Sequence, residues 1–323
     1  MAILLSNITA RPYAGVQDLA AIAALINTCI VCDRLDGLST VAALEHEYSS
    51  PDFDLVQDLR LWFDQSNTLG AVAECWLPKA PNEQRAYLTF WVKPTVRGQG
   101  IETEILAWAE QRLRTVACDR QLPAVLQIMV RETQTDRLDL LKQQGFTLSR
   151  SFYRMGRSLA APIPHPQLPV GYTVRPLQPT ELEAWVELFN QSFVDHWNFL
   201  PLTVRDRQHW NAEPDYQPEL DLVAIAPDGT FAAFCYCFVE TTTNTQRGVK
   251  EGWIADLGTR RGFRRQGLGR AMLLTGLQAL QAQSLNTALL GVDTQNPSGA
   301  MGLYESVGFQ PYYTSLVWTK KLL

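Results

Sequence analysis

The sequence predicts a mixed α/β fold, α+β in its strand order, present as two tandem copies. Three observations carry this reading. Landmarks recur at nearly one spacing, a proline-rich stretch lies midway, and the second half runs from antiparallel hairpins into alternating strands and helices. At 323 residues the chain is also long enough for two domains of about 100–200 residues.

Thr9-Ala10-Arg11-Pro12 returns 164 residues later as Thr173-Val174-Arg175-Pro176. Arg97-Gly98-Gln99-Gly100-Ile101-Glu102 returns after 167 residues as Arg264-Arg265-Gln266-Gly267-Leu268-Gly269. Gly145-Phe146 returns after 163 as Gly308-Phe309. Each pair alone is weak, but three in one order at nearly one spacing indicate a duplicated fold. Pro162, Pro164, Pro166 and Pro169 suit a semi-extended connector, since alternating prolines fit neither a helix interior nor a central strand. The expected division is 1–156, a linker at 157–170, and 171–323.

In the second half, Tyr172–Pro176 reads as a strand. Glu181–Gln191 reads as an amphipathic helix, with Leu182, Trp185, Val186 and Phe189 near helical spacing. Leu222–Ala226 and Phe231–Glu240 are apolar, β-rich runs joined by Pro227-Asp228-Gly229, so they predict a hairpin. Gly252–Thr259 is a further strand, Leu268–Gln283 a helix, Ala288–Asp293 a buried strand and Pro297–Val307 a short helix. Gly308 stands where a helix C-cap glycine belongs, and Gln310–Lys320 reads as the last strand.

Composition excludes several classes. Hydrophobic residues at 46% and charged residues at 19% are ordinary for a globular chain. With 28 Lys+Arg against 33 Asp+Glu the net charge is −5, so no nucleic-acid partner is expected. No stretch reads as the ~20 apolar residues of a bilayer span, and Met1–Asn7 lacks the basic region of a signal peptide. No membrane partner is expected. Six cysteines are too dilute for a disulfide scaffold and point to the cytoplasm. Cys29 and Cys32 form a CxxC without the second pair of a zinc site. His46, His165, His196 and His209 are scattered, so no metal is expected.

The strongest chemical signal is Arg264-Arg265-Gln266-Gly267-Leu268-Gly269-Arg270, between a strand and a helix. Glycines there let a ligand approach the backbone, and the free N–H groups of a helix start favour an anion such as a diphosphate. A Walker loop would need Lys-Ser/Thr after the second glycine, and a dinucleotide fingerprint would need GxGxxG on the first strand–helix turn. Neither is present. A glycine-rich turn with solvated arginines remains the plain alternative.

This Arg-x-x-Gly-x-Gly pattern resembles the acyl-CoA-binding motif of the GNAT N-acetyltransferase superfamily. Asn296-Pro297-Ser298-Gly299-Ala300-Met301-Gly302-Leu303-Tyr304-Glu305-Ser306-Val307-Gly308-Phe309 is similar to that family's Asn…LeuTyrGlu…GlyPhe signature. The tandem arrangement, with Asp195-His196-Trp197, resembles mycothiol-synthase-type proteins. The resemblance implies two GNAT-like domains, each a mostly antiparallel sheet with a splayed parallel strand pair. It implies acetyl-CoA as co-substrate and direct attack of a small-molecule amine on its thioester. Leu257, Gly258 and Thr259 would pair with the pantetheine arm, and the Leu257 N–H would meet the thioester oxygen. Arg264, Arg265, Gln266, Gly267, Leu268, Gly269 and Arg270 would hold the diphosphate, with Asn296 and Ser298 nearby.

Tyr304, four residues before Gly308, takes the family's thiolate-acid position. The general base is open among Glu251, Asp256 and His196, because related synthases carry a strand glutamate where this chain has Trp253. Asp195, His196, Trp197, Glu240 and Trp253 are candidates for the acceptor pocket. Asp195, Glu240 and Glu251 would favour a cationic amine. The first half carries Glu102 where the second has Gly269 and Leu141 where it has Tyr304, so it is expected to be a silent copy. A CoA-binding sensor and a transferase using another acyl-CoA are the alternative readings. A monomer acting as a pseudo-dimer, or a homodimer, is expected.

Overall fold

The computed structural model describes residues 8–296 and 299–322. They fall into two compact units, one of residues 1–150 with 316–323 and one of residues 151–315. Neither unit coincides with a half of the sequence. The expected boundary at 157–170 is therefore replaced by an exchange of strands, described below for each unit.

Unit 1 contains β1 (Thr9–Pro12), α1 (Leu19–Asp33), α2 (Val41–Tyr48), β2 (Leu59–Phe63), β3 (Leu69–Trp76), β4 (Gln84–Val92), α3 (Ile101–Arg120), β5 (Ala124–Arg131), α4 (Thr135–Gln143) and the start of β6 (Thr147–Ser158). Strands β1 to β4 are antiparallel neighbours, and β4 and β5 are parallel. The last stretch of the chain adds Trp318 and Leu322 to the core under α3. The stretch Val16–Asp33 is, contrary to expectation, long and apolar enough by composition to cross a membrane. In the fold Leu19, Ile22, Leu25, Ile26 and Cys29 bury its apolar side. Cys32 of the CxxC is exposed while Cys29 is buried.

Unit 2 takes the end of β6, then β7 (Thr173–Pro176), α5 (Leu182–Phe193), α6 (Val204–Asn211), β8 (Asp221–Ile225), β9 (Phe231–Phe238), α7 (Thr241–Arg247), β10 (Glu251–Thr259), α8 (Leu268–Ala282), β11 (Thr287–Asp293), α9 (Ala300–Glu305) and the start of β12 (Gln310–Leu322). Its strand order is β6-β11-β10-β9-β8-β7. Residues 152–158 of β6 pair antiparallel along all of β11. Helix α9 is shorter than the expected 297–307, because Gly299 at φ 77° forms its N-cap. Helix α7 was not expected, and the β-branched run Thr241-Thr242-Thr243 has low helix propensity. Asn244 fixes it by bonding both the carbonyl and the N–H of Glu251.

The side of the sheet under α8 is a dry core of Cys235, Cys237, Ile254, Met272, Leu277 and Leu290. Gly276 lets α8 come close, as a Cβ there would meet Cys235 Sγ at 2.6 Å. The other side, under α5 and α6, is aromatic. Trp185 packs on Phe189, Trp210 and Phe234. At its centre Arg207 is fully buried, ion-paired to Asp221, with its guanidinium 3.9 Å from the Trp185 ring centroid. Tyr216 also donates to Asp221. Burial pushes the Asp221 carboxyl up, and Arg207 counters it.

Removing one member of such a pair strands the other charge, at a cost of about 3–5 kcal/mol. Arg207→Met is expected to lose that much in urea unfolding, and Arg207→Met with Asp221→Leu to recover most of it. Additive losses in the double variant would show that the two charges are not energetically paired.

Candidate active site

The site starts from a gap in hydrogen bonding. β10 and β11 are parallel partners only at Glu251–Trp253 with Thr287–Leu289. Beyond that point β10 stays paired with β9 as far as Thr259, with a register shift between Ile254 and Asp256. β11 stays paired with β6 as far as Asp293. The two strands part while each remains fixed on its outer side, leaving a wedge between them. A bulge adds local twist to a strand, and this one lies where the parting begins. Leu257, Gly258 and Thr259 form the free end of β10. Gly258 is required by packing, as a Cβ there would meet Phe234 at 2.3 Å and Ser192 at 2.9 Å.

The turn into α8 closes one end of the wedge. Arg265 at φ 64° and Gly267 at φ 83° bend the chain so that Leu268 begins the helix fully buried. Successive backbone N–H groups in such a turn make an anion-binding concavity. A Cβ on Gly269 would come no closer than 3.5 Å to any protein atom, and one on Gly267 would meet nothing within 4 Å. Protein packing therefore leaves the space over both residues open, which fits a bound diphosphate.

The arginines divide in role. Arg264 is part of the frame, donating to the Thr259 and Ser192 carbonyls and pairing with Asp195 at 3.1 Å. Asp195 also pairs with Arg261, and these two arginines hold its carboxyl below the usual range. The structure thus ties Asp195 to the loop through both of its oxygens. Arg265 and Gln266 are exposed, although Tyr172 donates to Gln266. Arg270 reaches Ser306 Oγ at 2.6 Å. The Asn296 N–H closes a turn onto Asp293, and Ser298 lies outside the described residues.

Tyr304 on α9 is buried, edge-on to Phe309 at 6.1 Å. Its hydroxyl has no hydrogen-bond partner among the described residues. Burial, then Cys235 and Asp256, push the phenol above its ordinary value. Asp256 faces the opposite side of the sheet, in one row with Tyr236 and Asp221. Burial pushes its carboxyl up to about 6, with Arg207 pulling it down and Asp221 adding to the rise.

The other base candidates stand differently. Glu251 lies where β10 and β11 are still paired, with Arg247 at 3.5 Å. At ~3.3 Å per residue it is roughly 20 Å along the strand from Leu257. His196 packs edge-on to Phe193 at 4.4 Å and its pKa is lowered, first by loss of water around the ring. Trp253 stacks on Phe238 and donates to Glu240, and burial raises the Glu240 carboxyl. Trp197 packs on Phe152. One residue that the sequence did not flag joins this face. Arg154 of β6 stands 4.0 Å from the Trp253 ring centroid and donates to the Tyr313 hydroxyl.

A wedge between parallel strands, closed by an Arg-x-x-Gly-x-Gly turn, matches what the motifs imply. The family model for the acetyltransferase (GNAT) family matches residues 182–309. Mycothiol acetyltransferase of Streptomyces avermitilis is 33% identical over 238 residues, covering 70% of this chain and 69% of the relative. The chain belongs to the GNAT acetyltransferase family. It is an N-acetyltransferase of the acetyl-CoA-dependent, mycothiol-acetyltransferase-like kind. A GCN5-related N-acetyltransferase from Sphaerobacter thermophilus matches 99% of the chain and 97% of its own length, with a TM-score of 0.76 at 24% identity. A tandem GNAT protein from the clavulanic acid pathway matches 97% and 98%, with a TM-score of 0.73 at 14% identity. These two share the fold.

Unit 1 repeats the GNAT design with some of its backbone groups already engaged. β4 and β5 pair at Gln84–Tyr87 with Ala124–Gln127 and then part, leaving a cleft of about 600 Å³. Arg97 donates to Val92 and pairs with Asp33, just as Arg264 serves Thr259 and Asp195. Glu102, however, accepts the Gly98 N–H at 3.0 Å, so a carboxylate occupies a loop amide. Arg137 donates to the Phe90 carbonyl and lies 3.9 Å over its ring, on the free stretch of β4. Leu141 is buried at the position of Tyr304.

Asp256 also gives a stability signature. Its pKa is raised from 3.8 to about 6 on folding, so ionisation is resisted only in the folded chain. The penalty is absent below pH 3.8, grows towards pH 6 and is complete above it, at up to ~3 kcal/mol. Asp256→Asn is expected to stabilise the protein at pH 8 and to leave it unchanged at pH 3.5 in denaturant titrations. A loss of stability at pH 8 would contradict the burial of this carboxylate.

Proposed function

We propose that unit 2 carries the catalysis, transferring the acetyl group of acetyl-CoA to the amine of a small molecule. The observation that carries this is the placement of Asp256 and Tyr304 on opposite sides of the sheet at the parting of β10 from β11. Leu257–Thr259 would hold the pantetheine arm on the free edge of β10. The turn at Gln266–Arg270 would take the diphosphate on its amides. The relatives named for mycothiol support a small-molecule acceptor, and Trp253 sets this chain's acceptor face apart from that of the related synthases.

Each titratable group has one proton to handle. Asp256, ionised above about pH 6, takes the proton of the acceptor ammonium so that the amine can attack. The Leu257 N–H receives the developing negative charge on oxygen. Tyr304, kept protonated by burial, gives its proton to the departing thiolate and is reprotonated by the second proton that the nitrogen sheds as the amide forms. Loss of water raises the basicity of a thiolate as it does a phenolate, so the two stay matched in the same dry pocket. Positioning of the reactants supplies much of the remaining rate.

Tyr304→Phe keeps the packing and removes the proton. Turnover is expected to fall by about 10²–10⁴ with the dissociation constant for acetyl-CoA unchanged, measured by thiol release and calorimetry. Unchanged turnover would remove Tyr304 from the mechanism. The acidic limb of the rate profile is expected near pH 6 and is expected to vanish in Asp256→Asn.

The engaged loop amide and strand carbonyl of unit 1 make a separate expectation. Calorimetry should find one acetyl-CoA per chain, rising towards two in Glu102→Gly with Arg137→Ala. Two equally tight sites in the unaltered chain would refute the silent role of unit 1.

A further inference from the structure

The acceptor face of unit 2 holds a cation for which the mechanism has no use. Arg154 projects from β6 at the register position of Gly291 on β11, beside the part of β11 that has lost β10. A Cβ on Gly291 would meet nothing within 4 Å, so the space next to Arg154 is open. The guanidinium lies 4.0 Å from the Trp253 ring centroid, and its Nε donates to the Tyr313 hydroxyl at 3.3 Å. Among the described residues no carboxylate is within ion-pair distance of it and nothing bonds its two terminal nitrogens. Glu240 is near enough for its charge to be felt, but its carboxylate is bonded to the Trp253 indole.

Contact with an aromatic face and a single Nε anchor fix the guanidinium without using its terminal fork. That fork matches the two oxygens of a carboxylate. We propose that the acceptor is an amine that also carries a carboxylate, and that Arg154 binds this carboxylate while the amine is presented to Asp256. The inference rests on the catalytic reading of unit 2 and narrows its substrate class. It adds a carboxylate to the cationic amine expected from Asp195, Glu240 and Glu251, whose own charges are taken up within the fold. Asp195 is bound to Arg261 and Arg264, Glu251 has Arg247 at 3.5 Å, and Glu240 is bonded to Trp253.

Arg154 is a binding residue, so its test reads selectivity rather than rate alone. Thiol release from acetyl-CoA is followed with ω-amino carboxylates of graded length, each against its own carboxamide. At least one acid should exceed its amide tenfold or more in kcat/KM. Arg154→Gln should erase that preference, the loss appearing as a raised KM for the acid, and Arg154→Lys should restore part of it. Turnover of acids and amides at equal rates, or an equal fall on both in Arg154→Gln, would overturn the carboxylate proposal and leave the catalytic reading intact. A protein that binds acetyl-CoA yet releases thiol with no member of the series would count against the catalytic reading, and the carboxylate proposal would fall with it.

Discussion

The structure depends on holding two parallel strands apart. Backbone N–H and C=O groups gain by pairing, so adjacent parallel strands ordinarily stay joined. Here β10 is committed to β9 and β11 to β6, and each is drawn away by its outer partner. Gly258 lets Phe234 and Ser192 press against β10, and Arg264 ties the Thr259 carbonyl to the loop and to α5. The unpaired inner edge of β10 is the consequence, and an extended acyl-CoA arm is the kind of partner that can satisfy it.

That frame also explains what duplication preserved. Arg97 and Arg264 make matching contacts, to the end of the fourth strand of each copy and to an aspartate at or just beyond the end of its first helix, Asp33 or Asp195. The first arginine of the motif thus persists for structural reasons in both copies, whether or not a ligand is held. What differs is the chemistry on the frame. Glu102 and Arg137 use up the loop amide and strand carbonyl that a ligand would need, and Leu141 fills the acid position with hydrocarbon. A motif can therefore survive by its architecture while its binding groups are spent internally.

The legible part of the site follows the same division. The glycine turn and the strand–helix order were readable because each depends on local spacing along the chain. The roles of Arg264 and Asp195 were not, since a charged residue beside a phosphate loop reads as a ligand contact until its tertiary partners are seen. Glu251 and Asp256 differ by five positions, and only the register between β10 and β11 separates the closed end from the open one. Helix α7 escaped because a threonine run has β propensity, which Asn244 overrides by bonding Glu251.

The least legible feature is the exchange of strands, and the surroundings of Trp253 depend on it. Arg154 and Phe152 belong by sequence to the first half, before the proline-rich stretch, yet they stand beside Trp253 and Trp197 in unit 2. The prolines mark a connector but not a boundary of folding. A cut at 157–170 would strip β11 of the strand that pairs with it from Thr287 to Asp293, and an unpaired edge of that length invites association with another chain. It would also remove Arg154 from the acceptor face while leaving the diphosphate turn, Asp256 and Tyr304 in place. The two halves of the sequence are therefore not two separable enzymes. The second half holds the glycine turn, Asp256 and Tyr304, and the first supplies the strand that carries Arg154 and Phe152 beside Trp253 and Trp197.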